Sequence, residues 1–197
     1  INSIPYNGIS HAYIKRIYLN SEEANREFVG SIASIYLYAR AERKNQKPRS
    51  SGSVKISKDL FNLDIKGCIK EASEKTINHL NYKSLKTGKY LVCFMPEAFL
   101  ELFSAFSNIF NARSVIDGIS LSNKESIGTK ISSHLLSVYD DNLHPANIGA
   151  CNFDGEGTPT KKITLIENGI LKNFLHSEAT ARIFGVDPTG HASIGAK

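Results

Sequence analysis

Apolar and polar positions alternate along this chain with two different periods. From Asp64 to Leu80, the positions Ile65, Cys68, Ile69, Ala72, Thr76, Ile77 and Leu80 recur at intervals of three and four, and Lys66, Lys70, Glu71, Glu74 and Lys75 fill the gaps. That spacing follows the helical repeat and predicts an amphipathic helix. Phe28 to Ala41 instead mixes Val29, Ile32, Ile35, Tyr36, Leu37 and Tyr38 with small residues. This β-branched and aromatic richness predicts a strand. Tyr90 to Met95 is a short apolar run closed by Pro96 and reads as a buried strand. Glu97 to Phe110 is apolar around most of a helical circumference, the pattern of a buried helix.

Weaker signals fill the remainder. Ile14 to Leu19 reads as a further strand, and Ser21-Glu22-Glu23 begins a polar piece able to start a helical turn. Arg40 to Arg49, with Pro48, leads into Ser50-Ser51-Gly52-Ser53 and reads as a solvated hairpin tip. Asn111 to Lys130 is polar and Gly-bearing, which predicts loop and short helical turns. Leu135 to Tyr139 is an expected strand ended by Asp140-Asp141-Asn142. Lys162 to Glu167 and Ile170 to Leu175 flank Asn168-Gly169, a pair suited to the two positive-φ positions of a type I′ turn, so a β-hairpin is predicted. Ser177 is placed to cap a helix over Glu178 to Phe184, closed by Gly185. Helices and strands mix without regular alternation. The expected class is therefore α+β, a mixed sheet with packed helices leading into a β-rich C-terminal part. The expected division is residues 1–95, a strand and helix N-terminal part, and 96–197, the first part of a β-rich domain.

Composition narrows the class. The 197 residues are 41% hydrophobic and 22% charged, ordinary for a globular chain with a real core. The chain opens at Ile1 without an initiator Met and stops at Lys197 after a Gly-rich turn region, as expected of an inner stretch of something longer. A net charge of +5 permits weak attraction to polyanions. The densest basic run carries no aromatic residue for stacking on bases, so nucleic acid is not the expected partner. No apolar run approaches the roughly 20 residues that cross a bilayer. Cys68, Cys93 and Cys151 are odd in number and far apart, which suits free thiols in a reducing cytoplasm.

Candidate chemistry is sparse. The six histidines, His11, His79, His134, His144, His176 and His191, are spaced so that no two fall within five residues. A helical zinc site of the H-E-x-x-H kind needs two imidazoles one turn apart. No Ser sits in a G-x-S-x-G elbow, and Cys151 after His144 is a poor nucleophile pairing. Asn152 to Thr160 holds Asp154 and Glu156 in a turn interrupted by Gly155 and Gly157. Its carboxylates are expected to bind backbone amides first and to act as a catalytic pair second. The candidate cleft or structural-turn residues are Asp154, Glu156, Gly157, Asn168, Gly169 and His191. No catalytic residue and no metal ligand is assigned.

Several segments are similar, in order and spacing, to the TldD/PmbA family, associated by name with modulation of DNA gyrase. They are Phe153-Asp154-Gly155-Glu156-Gly157-Thr158-Pro159-Thr160, Leu165 to Asn173, Ala179 to Gly185 and Pro188-Thr189-Gly190-His191-Ala192. The helix from Asp64, Thr87-Gly88-Lys89-Tyr90 and Met95-Pro96-Glu97-Ala98 extend the resemblance. The resemblance implies that TldD-type subunits carry an H-E-x-x-x-H zinc motif on the helix that here is Glu97 to Phe110, with a later Cys as a further ligand. This chain reads Leu100-Glu101-Leu102-Phe103-Ser104-Ala105-Phe106 there, without an imidazole. It therefore resembles the PmbA (TldE) type.

That type implies a non-catalytic subunit of a TldD/TldE-type metalloprotease that processes or degrades peptides and unfolded proteins. The link to gyrase then runs indirectly, through peptide inhibitors of that enzyme. No cofactor is expected in this chain, with zinc only in a TldD-like paralogous partner, as heterodimer or homodimer, and no membrane is involved. Two alternatives stay open: an independent hydrolase with its site elsewhere, and a gyrase or nucleic-acid interaction module.

Overall fold

The computed structural model describes residues 1–193, which form two compact units. The first comprises Ile1–Arg16 and Val29–Tyr90, the second Ile17–Phe28 and the chain from Leu91 onward.

In the first unit, β1 (Ser3–Leu19), β2 (Asn25–Ala41) and β3 (Arg49–Ser57) form a sheet in the order β1-β2-β3, with β2 and β3 antiparallel. The distal ends of β1 and β2, with their turn, count with the second unit. Helix α1 (Ile65–Asn78) packs on one sheet face. It starts where the sequence predicts, because the Asp64 carboxylate accepts a hydrogen bond from the Gly67 amide at 2.8 Å. Small buried residues line the contact: Ala33 of β2 shares a cluster with Cys68 of α1, and Thr76 Oγ1 reaches the Ala39 carbonyl at 3.4 Å. Small side chains let the helix sit close to the strands. Thr76 Oγ1 lies 3.2 Å from the Ser51 carbonyl while bonding the Ala72 carbonyl at 2.7 Å.

At the edge of this contact, Glu71 lies 2.5 Å from both Lys55 and Lys75 and accepts from the Ser53 hydroxyl at 3.0 Å. Hydrogen bonds from Lys55, Lys75 and Ser53 hold its carboxyl down to about 2, from an ordinary 4.5. A depressed folded-state value means that the stabilisation is complete above the ordinary value and is lost as pH falls through the folded one. Glu71→Gln is expected to destabilise this unit by about 1 kcal/mol at neutral pH, a size limited by solvent screening of a partly exposed trio. Urea titrations should show the difference from wild type shrinking as pH drops from 4.5 toward 2. A difference independent of pH would assign the loss to packing.

The second unit holds α2 (Pro96–Ser104), α3 (Ala112–Ile116), β4 (Val138–Asp140), β5 (Ile163–Glu167), β6 (Ile170–Leu171) and α4 (Glu178–Phe184). Its sheet runs β4-β5-β6. Asn168 and Gly169 take φ of 49° and 83°, the positive-φ pair that a type I′ turn requires, and the predicted hairpin forms around them. Ser177 and Thr180 cap α4 reciprocally, and Gly185 closes it in the left-handed conformation. The core gathers Phe110, Val115, Ile163, Leu165, Ile166, Leu171 and Phe174.

Three expectations need correction. Tyr90 to Met95 is not a buried strand: Leu91, Val92, Phe94 and Met95 are exposed, and no strand among the described residues pairs with the run. An apolar run without a neighbour to satisfy its amides and carbonyls gains nothing from extended pairing. The expected buried helix over Glu97 to Phe110 ends at Ser104, contains no buried residue, and passes into a separate 3₁₀ turn, Ser107–Phe110. The basic, Pro-containing stretch does form the connection between β2 and β3, as the sequence predicts, and Ser50 to Ser53 beyond it continue β3. Leu135 lies outside the strand, which begins only at Val138.

Candidate functional site

Asp154 organises the polar end of the second unit. Its Oδ1 accepts from the backbone amides of Glu156 at 2.9 Å and Thr158 at 3.0 Å, and its Oδ2 accepts from Ala192 at 2.9 Å. One carboxylate therefore folds the turn on itself and ties it to the segment carrying His191. Glu156 reaches the other way: its Oε2 accepts from the Glu178 amide in the first turn of α4 at 2.9 Å. Carboxylates suit that position because the first helical amides lack intrahelical acceptors. Gly157, at φ 79°, lies against the Tyr18 ring so closely that a Cβ there would come within 2.3 Å of it.

His191 closes the network. Nε2 lies 3.0 Å from Asp140 Oδ1 at the end of β4, and Nδ1 lies 3.0 Å from Thr189 Oγ1. Thr189 also accepts from the His176 amide at 2.6 Å. The Thr189 hydroxyl carries a single proton, shared between the His176 carbonyl at 3.1 Å and His191 Nδ1, so which ring nitrogen donates follows from the tautomer. This is an Asp-His-Thr chain by contact but not a nucleophilic triad. Thr189 is only 5% exposed and faces backbone on its other side. Four of the sequence candidates, Asp154, Glu156, Gly157 and His191, thus meet in one place. The other two stand apart in the hairpin turn: Asn168 N–H donates to Ser137 Oγ, and the Gly169 carbonyl accepts from Ile131. A cavity of about 490 Å³ opens beside the network, lined by Glu156, His191, Ser177, Thr180 and Arg113.

Sequence reasoning missed His176. It is 5% exposed, its ring is packed edge-on against Phe174 and Phe184, and its Nδ1 is buried without a partner. Phe174 stands close by in sequence, but Phe184 at the end of α4 closes the other side, and no local pattern announces that. Burial pushes its pKa below the usual histidine range. The unfolded chain takes up this proton below about pH 6.5 while the fold resists it, so stability should fall as pH drops from there, by at most about 1.4 kcal/mol per unit. His176→Phe keeps an aromatic between the two phenylalanines and is expected to flatten that slope in denaturation measured between about pH 7 and pH 5. An unchanged slope would place the titration elsewhere.

A resident zinc finds no home among the described residues. Helix α2 carries Glu97 and Glu101 but no histidine in any register, and no three His, Cys, Asp or Glu side chains gather closely enough to hold an ion. Asp140 and His191 form a pair, which falls short of the ligands a zinc site takes. No helix among the described residues is long and apolar enough to cross a membrane.

Comparison with known proteins places these features. Residues 1–80 match the model of the PmbA/TldA metallopeptidase central domain, and residues 87–197 match that of the C-terminal domain of the same proteins. A metalloprotease of Methanocaldococcus jannaschii is 29% identical over 191 residues, covering 92% of this chain and 41% of its own length. Among solved structures, a candidate modulator of a DNA gyrase from Thermotoga maritima superposes with a TM-score of 0.90 at 30% identity, over 98% of this chain and 44% of that one. TldE of Thermococcus kodakarensis superposes at 0.80 and 24% identity, over 97% and 43%, and shares the fold. The chain thus spans about two-fifths of the length of these relatives.

Proposed function

This chain belongs to the PmbA/TldD metallopeptidase family, and on that premise we propose that it is part of a non-catalytic PmbA/TldE-like subunit of a TldD/TldE-type metalloprotease. Its complex processes or degrades peptides and unfolded proteins in the cytoplasm, and a TldD-like paralogue supplies the zinc. The observation that carries this reading is α2, where an apolar sequence with two carboxylates and no imidazole stands in place of a zinc-binding helix. Glutamate can be one zinc ligand, but α2 offers neither imidazole of an H-E-x-x-x-H pair. The network around Asp154, Glu156 and His191 then serves to shape a cleft wall: every carboxylate oxygen of Asp154 is already engaged by backbone, which suits rigidity better than proton transfer.

The test is co-purification of the full-length protein with the zinc-motif paralogue of the same organism, followed by peptidase assay with and without a chelator. A stable complex with chelator-sensitive activity that neither protein shows alone is the expected result. Absence of a complex, or peptide cleavage by this protein by itself, overturns the reading.

A further inference from the structure

The sheet of the first unit has two faces, and α1 covers one. Along β2, Ala33, Ile35, Ala39 and Ala41 are buried, while Tyr36, Tyr38 and Arg40 point the other way and are exposed. Their partners on β3 in the same register are Val54, Gly52 and Ser50. On β1 the Ser10 hydroxyl meets that of Ser34 at 2.8 Å, so Gly8 and Tyr6, at steps of two from Ser10, share this outer face. The Tyr36 ring fills the space above Gly8, where a Cβ would lie 2.8 Å from it, and the Tyr38 ring does the same above Gly52 at 2.6 Å. Each ring is thus supported from below by a residue with no side chain, and each tyrosine remains 44% exposed, with Tyr6 beside them at 69%.

Charge surrounds this aromatic face. The whole chain carries +5, but the residues of the first unit hold fifteen Lys and Arg against five Asp and Glu. Arg40 stands on the face itself, one alternation beyond Tyr38, and the loop that joins β2 to β3 presents Arg43, Lys44 and Lys47, all exposed. The sequence set nucleic acid aside because this basic run contains no aromatic residue. Folding brings the aromatics to it from β1 and β2.

We propose that this face binds single-stranded nucleic acid, with bases stacking on Tyr36, Tyr38 and Tyr6 and phosphates meeting Arg40, Arg43, Lys44 and Lys47. Tyrosines two apart on one strand lie about 6.6 Å from each other, which leaves room for one base per ring. Supported rings and a basic margin are the two parts from which sequence-tolerant single-strand binding is built. An acidic protein surface would satisfy the charges but leave the rings without a matching partner.

Fluorescence anisotropy of the full-length protein with labelled oligothymidine, titrated with salt, tests this. Binding is expected to persist at physiological ionic strength, with a log–log salt slope of roughly −3 for four phosphate contacts. It should be weaker for the duplex of the same length. Tyr36→Leu with Tyr38→Leu keeps apolar cover over the glycines and should weaken binding at least about tenfold with the slope unchanged. The corresponding Phe pair should restore it, which separates stacking from a folding defect. Arg43→Ala, Lys44→Ala and Lys47→Ala together should cut the slope to roughly −0.7. Binding seen only at low salt, indifference to the leucine pair, or displacement by polyglutamate as readily as by unlabelled oligothymidine overturns the proposal.

Discussion

Phe174→Ala is expected to lower the stability of the second unit by about 3–5 kcal/mol, the range for emptying a phenylalanine site in a packed core. Phe174 is 2% exposed and belongs to the cluster of Phe110, Leu165, Ile166 and Leu171. It also makes an edge-on contact with Phe184 of α4 at 5.8 Å, so it joins the β5–β6 hairpin to the helix that follows. Removal would leave a void bounded on one side by a two-residue strand, and the backbone there has little freedom to collapse into it. A domain of this size is stable by roughly 5–15 kcal/mol, so the loss would be a large share of the total. Phe174→Leu, which refills most of the volume, should cost under about 2 kcal/mol. The check is the urea midpoint of both variants in the full-length protein. An alanine variant within about 1 kcal/mol of wild type would mean that the cluster is not the core of this unit.

The same region shows what the sequence made legible. Asn168-Gly169, Ser177 and Gly185 are local signals, each dictated by a backbone conformation or an unpaired amide within a few residues, and the structure places each as read. Where the deciding interaction is distant, local reading fails. Tyr90 to Met95 looks like a strand and is not one, because no neighbour among the described residues pairs with it. Periodicity alone could not report that α2 exposes its apolar circumference.

The candidate site divides along the same line. The preference of Asp154 for backbone amides was legible from its Gly-flanked turn. That one of those amides belongs to Ala192 was not, since the two residues lie 38 positions apart. The pairing of His191 with Asp140 spans 51 residues and leaves no trace in local pattern. The buried ring of His176 depends on Phe184 of α4 as well as on the nearby Phe174. The family resemblance carried by the turn and hairpin segments located this region before any contact was known, although it assigned no role to either histidine.

Asp154→Ala is the second large effect expected, about 2–4 kcal/mol, because it removes a charged acceptor from three backbone amides at once. Glu156 and Thr158 lie at the turn, where water can replace part of the loss. Ala192 is tied from a distant segment, and its release should loosen the chain that carries Thr189 and His191. Asp154→Asn separates these contributions. Its amide oxygen can take the place of Oδ1 and keep the Glu156 and Thr158 bonds, but its NH₂ group then faces the Ala192 amide, donor against donor. The asparagine variant should therefore hold the turn and lose the tether, at an intermediate cost of about 1–2 kcal/mol. Hydrogen exchange reads the difference directly. In the alanine variant all three amides should exchange faster, whereas in the asparagine variant Ala192 should accelerate and Thr158 should not. If the two variants expose the same amides to the same degree, Asp154 does not act as a two-sided clamp. The cleft wall assigned to this network would then need another source of rigidity.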